Sequence, residues 1–278
     1  MEKISLPSKI EIKKGEKENE AIISIQPCHP GYGTTLGNAL RRILLSSLPG
    51  AAVLAFKVKG VSHEFSSLPY VKEDGVEIAL NLKQLRLKVF SDQPVKLELK
   101  ARGDKQVKAK DIKTTSDVEV VSPDLLIATL TNKDAELDME ILVSQGMGYV
   151  PTEVREKEDL EVGMIAIDSI FTPIKSVGFQ VESVRVGQMT NFENLILTIE
   201  TDGSITPQEA LSQANQILID HFSFIAEQVQ TSAKPKKNKE EKDEDEDKED
   251  ENEVEEKTEE VVEEKPKKRG RPKKKDNE

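Results

Sequence analysis

The chain has 278 residues, with 40 Lys and Arg against 52 Asp and Glu, so its formal net charge is -12 and 33% of it is charged. That length supports one or two domains with a sizeable core, and the acidic total excludes a molecule that grips nucleic acid by an all-over positive surface. The lone cysteine, Cys28, excludes an intramolecular disulfide and argues against a thiolate zinc site; no run reaches the ~18 apolar residues that span a bilayer. With no apolar leader after Met1-Glu2-Lys3-Ile4, the expectation is a soluble protein of a reducing cytoplasm, without a membrane partner.

In chain order, residues 9–26 alternate and then turn apolar at Ala21, Ile22, Ile23 and Ile25, which predicts a strand or hairpin. His29-Pro30-Gly31-Tyr32-Gly33 breaks it, and Thr34 or Thr35 is placed to cap a helix running through Leu48, stopped by Pro49-Gly50. A β-rich stretch follows, with strands predicted at 52–58, 76–89, 95–101, 118–121, 125–130 and 136–143 between turns rich in Gly, Pro, Asp and Asn. Leu80, Leu82, Leu85, Leu87 and Val89 are nearly period-two, with a short helical start near Val76 left open. Polar residues 152–161 predict a surface loop, and strands resume at 164–170, 174–186 and 195–200. Thr206-Pro207-Gln208-Glu209 is a capping box with proline at the first helical position, opening a helix to about Gln230. From Lys234 onward large apolar residues almost vanish: an acidic block, 240–264, precedes a basic one, 265–275, and the composition predicts a disordered tail.

Two helices carry informative faces. On the first, Leu36, Ala39, Leu40, Ile43 and Leu44 share a stripe with Leu48 at its margin, opposite Asn38, Arg41, Arg42 and Leu45. A solvated face with one stray leucine explains that opposite side; so does a docking face anchored by Leu45 with Arg42 as its charged group. On the last, Leu211, Ala214, Leu218, Phe222, Ile225 and Val229 form a seam, and Ile217, Ile219 and Phe224 widen it. Full burial inside a monomer and a helical homodimer interface both fit that pattern.

No Walker-type loop and no G-x-G-x-x-G after a strand occurs, and His29, His63 and His221 have neither metal-ligand spacing nor a nucleophile neighbour. No residue is assigned as catalytic or as a metal ligand, and no cofactor is expected on this chain.

The run from His29 to Gly50, which includes Leu36-Gly37-Asn38-Ala39-Leu40-Arg41-Arg42-Ile43-Leu44-Leu45, resembles the signature helix of bacterial RNA polymerase alpha subunits. Glu73-Asp74 through Leu80-Asn81-Leu82-Lys83, Gly146-Met147-Gly148-Tyr149-Val150-Pro151 and Glu200-Thr201-Asp202-Gly203-Ser204-Ile205 follow in that family's order, so the likeness covers about residues 1–230. It implies an α+β fold: a dimerisation domain from residues 1–50 and 173–231, an inserted β-rich domain from 51–172, and a tail from 232. By the same resemblance the chain is a non-catalytic subunit that homodimerises and scaffolds the beta and beta-prime subunits of an enzyme transcribing DNA into RNA from ribonucleoside triphosphates. A sigma factor joins through the holoenzyme, and the setting is the cytoplasm at the nucleoid. Arg42 and Leu45 match positions that hold beta, and Lys83 and Ile167 match positions associated with beta-prime. Tyr32, Leu36, Leu40, Ile43, Leu44, Leu218, Phe222 and Ile225 are the implied dimer contacts.

Two departures stand out. The family usually has Arg-Gly-Arg-Gly-Tyr where this chain has Ser144-Gln145-Gly146-Met147-Gly148-Tyr149. Its DNA-binding carboxy-terminal domain is expected to be replaced by the charged tail. There Arg269-Gly270-Arg271-Pro272 resembles an AT-hook, so the tail is a candidate contact for A·T-rich upstream DNA, with a merely solubilising basic end as the plainer alternative. A free architectural DNA-binding protein using that hook is the competing function.

Overall fold

The structure, a computed structural model, describes residues 4–61, 63–154 and 160–232, so the charged tail lies outside the described residues. Its strands are β1 (Lys9–Lys14), β2 (Glu20–Cys28), β3 (Pro49–Val58), β4 (Leu87–Val89), β5 (Val95–Arg102), β6 (Lys105–Lys108), β7 (Ile112–Lys113) and β8 (Val118–Val120). They continue with β9 (Leu126–Leu130), β10 (Glu136–Met147), β11 (Tyr149–Val150), β12 (Ile165–Ala166), β13 (Ser169–Ile170), β14 (Ile174–Val186) and β15 (Met189–Thr201). The α-helices are α1 (Tyr32–Ser46), α2 (Gly75–Lys83) and α3 (Pro207–Ser232). The fold is mixed α+β, as the sequence implies.

Two apolar cores organise these elements. The first belongs to an antiparallel sheet of order β1-β2-β15-β14, built from both ends of the described chain. Its registers align two rows across all four strands, Ile12–Ile23–Leu197–Phe179 and Ile10–Ile25–Leu195–Val181. Because paired residues share a face, both rows point to the side on which α1 and α3 lie. Ile23, Leu40, Leu44, Leu48, Leu195 and Leu197 are buried there. The second core lies in the central stretch, under a sheet of order β12-β3-β10-β5-β7, with α2 packed on it. Phe56, Ile78, Leu82, Leu97, Leu99, Ile127 and Ile141 fill it. The buried Glu73 carboxylate accepts the Thr129 backbone N–H at 2.6 Å and its hydroxyl at 2.9 Å, tying the segment before α2 to β9.

Among the described residues the chain passes between the two cores at two places, after α1 and before β14. They touch: a Cβ on Gly50 would lie 1.9 Å from the Phe171 carbonyl oxygen, so only glycine fits. Phe171 is itself buried, and its N–H and that of Thr172 both donate to the Gly148 carbonyl, at 2.9 and 3.3 Å.

Helix α1 departs from its expected start. Neither Thr34 nor Thr35 is the cap; the cap position is Gly31 at φ 84°, and the Thr35 hydroxyl donates back to the Gly31 carbonyl. The capping acceptor comes from β15: the Glu193 carboxylate takes the N–H of Gly31 at 2.9 Å and of Gly33 at 2.8 Å. A carboxylate at this end satisfies orphan donors and opposes the positive end of the helix dipole. Helix α2 replaces the first part of the strand predicted at 76–89. The Asp74 side chain accepts the Glu77 N–H at 2.7 Å, and Ile78 and Leu82, four residues apart, are fully buried. The chain becomes a strand only at Leu87. Helix α3 starts as predicted, with reciprocal Thr206–Glu209 bonds of 2.9 to 3.2 Å.

Removing the Glu193 carboxylate leaves two helix-terminal N–H groups without their acceptor. Glu193→Ala is therefore expected to lower stability by about 1–2 kcal/mol, with Glu193→Gln between it and wild type. Urea unfolding followed by circular dichroism checks this, and unchanged midpoints in both variants contradict the assigned role.

Candidate docking surfaces

Packing fixes which side of α1 looks outward. Gly33, Gly37, Leu40 and Leu44 are its buried residues, and a Cβ on Gly37 would sit 2.6 Å from the Phe179 ring, so the helix lies directly on β14. The opposite side then carries Arg41, Arg42 and Leu45 into solvent, with Leu45 37% exposed. Among the described residues neither arginine makes an ion pair; the Arg42 carbonyl accepts the Ser46 hydroxyl at 2.8 Å. This is the basic frame around an apolar spot that the helical spacing suggested.

The residues implied at a dimer interface divide into two groups. Leu40 and Leu44 are 4% and 0% exposed inside the chain's own first core, so they are not free to meet a partner; their stripe is the inner face of α1. Tyr32 is exposed, and Leu36, Ile43 and Leu218 are half-buried along the flank. Phe222 and Ile225 stand in the open, 64% and 55% exposed. Burial on α3 ends at Leu218, and every residue from 219 to 229 is exposed. At 1.5 Å per residue that is roughly 16 Å of helix, carrying Ile219, Phe222, Phe224, Ile225 and Val229 into water.

The third surface flanks α2. A cleft of about 470 Å³ is lined by Phe65, Val76, Leu80, Lys83, Ile167 and Asp168, among others. The Lys83 ammonium lies 3.2 Å from Asp168 Oδ2 and 5.8 Å from the centroid of the Tyr149 ring. The other carboxylate oxygen, Oδ1, accepts the Thr152 N–H at 3.0 Å. That backbone bond and then the Lys83 bond hold the Asp168 carboxyl below its ordinary range. Lys83 therefore reaches the surface already neutralised and tethered. Ile167, expected beside it as a contact, is 5% exposed and belongs to the second core, so it supplies the floor of the cleft rather than a projecting anchor. Sequence reasoning missed Asp168 and Tyr149; only their closeness in the fold reveals them. In the departing block, the Gln145 amide donates to the Val89 carbonyl, while Met147 is exposed.

The histidines have separate local environments: His29 meets Tyr32 and Phe192 edge-on, His63 bonds Ser66, and His221 bonds the Ile217 carbonyl. Among the described residues no group of three or more His, Cys, Asp or Glu is placed to hold a metal ion, and no helix is long and apolar enough to cross a membrane. Residues 269–272 lie outside the described residues.

Comparison with known proteins places these surfaces in context. Residues 56–172 match the family described as the RNA polymerase Rpb3/RpoA insert domain. The chain is 47% identical over 234 residues to the DNA-directed RNA polymerase subunit alpha of Roseiflexus sp. (strain RS-1), covering 84% of this chain and 71% of that one. It is 49% identical to the same subunit of Herpetosiphon aurantiacus over 76% of this chain and 63% of the relative, and 52% identical to that of Symbiobacterium thermophilum over 71% and 62%.

Because the Asp168 carboxyl is held low in the folded state, its contribution to stability is present above its ordinary pKa, near 4, and is lost as pH falls through its lower folded value. Asp168→Asn is expected to be less stable than wild type at neutral pH. The gap should narrow below about pH 4. Urea midpoints of both proteins across an acid series measure it, and a gap independent of pH is the contrary result.

Proposed function

The chain belongs to the DNA-directed RNA polymerase alpha-subunit family, and we propose that it is the non-catalytic scaffold of such a polymerase: it pairs with a second copy and gathers the beta and beta-prime subunits. Nucleotidyl transfer from the four ribonucleoside triphosphates then belongs to those larger subunits, sigma factor joins the finished enzyme, and the working place is the cytoplasm at the nucleoid. The observation that carries this reading is the exposed end of α3. A helix that holds two phenylalanines more than 60% in water, beside a well-filled core, is built for a protein partner. Most soluble oligomers are symmetric copies of one chain, which makes a second copy the natural occupant.

On this reading the two ends of the described chain form the dimerisation part and residues 51–172 the inserted part. Arg42 and Leu45 face beta, since they share the side of α1 that the sheet cannot cover. Lys83 faces beta-prime from the rim of the α2 cleft, with Ile167 beneath it. The basic tail segment 265–275, with Arg269-Gly270-Arg271-Pro272 at its centre, is a proposed contact for A·T-rich upstream DNA, supported by sequence alone.

Arg42→Ala tests the scaffold. Co-purification of beta with the tagged chain is expected to fall about tenfold or more, while the homodimer stays intact by size. Undiminished recovery of beta ends the assignment. For the tail, deleting residues 265–275 is expected to reduce transcription on promoters with an A·T-rich upstream tract and to spare those without one. An equal effect on both templates, or none, removes the DNA contact.

A further inference from the structure

The two cores are filled separately, and a cleft of about 390 Å³ runs between the bodies built around them. Leu87, Lys88 and Phe90 line it from the second body, Ile205 and Glu209 from the first. Two bodies joined by adjacent chain crossings, and not fused by a common apolar core, turn relative to each other unless another contact holds them. The crossings at Gly50 and Phe171 fix a point and leave the angle open.

Beside that cleft an ion pair joins one body to the other. Arg86 Nε lies 3.9 Å from Asp202 Oδ2, and the two side chains are only 20% and 8% exposed. The backbone sets both partners in place. The Arg86 N–H donates to Ser122 Oγ at 3.1 Å, and the Arg86 carbonyl accepts the Val121 N–H at 2.9 Å. Across the gap, the Asp202 N–H donates to the Pro173 carbonyl at 2.9 Å. Asp202 Oδ1 accepts the Ser204 N–H at 2.8 Å, which leaves Oδ2 for Arg86. Val121 closes on the same turn, its Cγ1 3.4 Å from the place a Cβ on Gly203 would take. Charges so far withdrawn from water are costly to separate, because each left alone stays desolvated without compensation. Such a pair favours one angle over its neighbours.

We propose that Arg86 and Asp202 form a latch that sets the angle between the two bodies of the chain. Lys83 ends α2 three residues before Arg86, whereas Arg42 and Leu45 stand on α1 in the other body. The latch therefore fixes the separation and relative direction of those two exposed surfaces. It works within one chain, so the inference stands apart from which partners the surfaces meet.

The full chain carries the test. Nitroxide labels on Gln188→Cys, in the turn between β14 and β15, and on Lys133→Cys, in the turn before β10, report the angle as a distance distribution by double electron–electron resonance. A Cys28→Ala background and dilution with unlabelled chain restrict the signal to pairs within one molecule. Arg86→Gln and Asp202→Asn, the latter keeping the acceptor for Ser204, each broaden the distribution about twofold or more, and together they broaden it no further than either alone. Distributions that superimpose on that of the unaltered pair overturn the latch. Broadening in only one of the two variants ties the effect to that residue alone and overturns it too. A variant that loses the circular dichroism spectrum of the unaltered chain shows the pair sustaining the fold and not the angle, which is equally contrary.

Discussion

The seating of α1 on its sheet is the contact on which the other features depend. Two glycines, Gly33 and Gly37, remove the side chains that would hold the helix away from Val181 and Phe179, and the backbone settles directly onto β14. Leu40 and Leu44 then drop into the core, each contributing about 2 kcal/mol through burial. Once that side is fixed, the rotation of the helix is fixed, and Arg42 and Leu45 have nowhere to point but outward. Glu193 secures the same seating from the other end by holding the first N–H groups of the helix. The proposed partner surface is therefore a by-product of internal packing, held rigid by contacts on the far side of the helix.

The other two surfaces follow a similar logic with different forces. At the α2 cleft the charge is consumed locally: Lys83 is paired with Asp168, which is itself tied to the Thr152 backbone. Whatever meets this cleft finds a positioned, largely apolar rim with little free charge to attract it from a distance, so recognition there relies on shape more than on steering. At the end of α3 the force is hydrophobic and non-directional, and its size alone argues for a constant companion over a transient one.

Much of this was legible in the sequence because it obeys local rules. The start of α3 followed from Thr206 and Glu209, and the outward side of α1 from helical spacing. For α2 the sequence favours a strand and leaves a short helical start near Val76 open, although Asp74 and Glu77 stand in the same cap relation; the near-alternation of Leu80, Leu82, Leu85, Leu87 and Val89 masks a helix running into a strand. There Leu82 is buried from the helix, Leu87 from the strand, and Leu80 not at all. The start of α1 was not legible, because its cap is supplied by a residue about 160 positions away. The resemblance put Leu40 and Leu44 among the dimer contacts, and helical spacing alone could not move them inward. One stripe serves both an internal core and a flank, and periodicity marks the stripe without dividing it. The pairing of Lys83 with Asp168 likewise joins residues 85 positions apart and has no local signature.

The contact between Gly50 and Phe171 bears on how such a molecule diversifies. Entry into the central lobe and exit from it are adjacent, so the outer layer experiences that lobe as a closed loop whose ends are pinned side by side. Lengthening, trimming or exchanging the lobe alters neither the spacing of those ends nor the four-stranded sheet they return to. A change of length far out in the lobe therefore leaves the anchorage of its ends intact, provided Gly50 is kept and the Arg86–Asp202 pair still ties the lobe to the turn before α3.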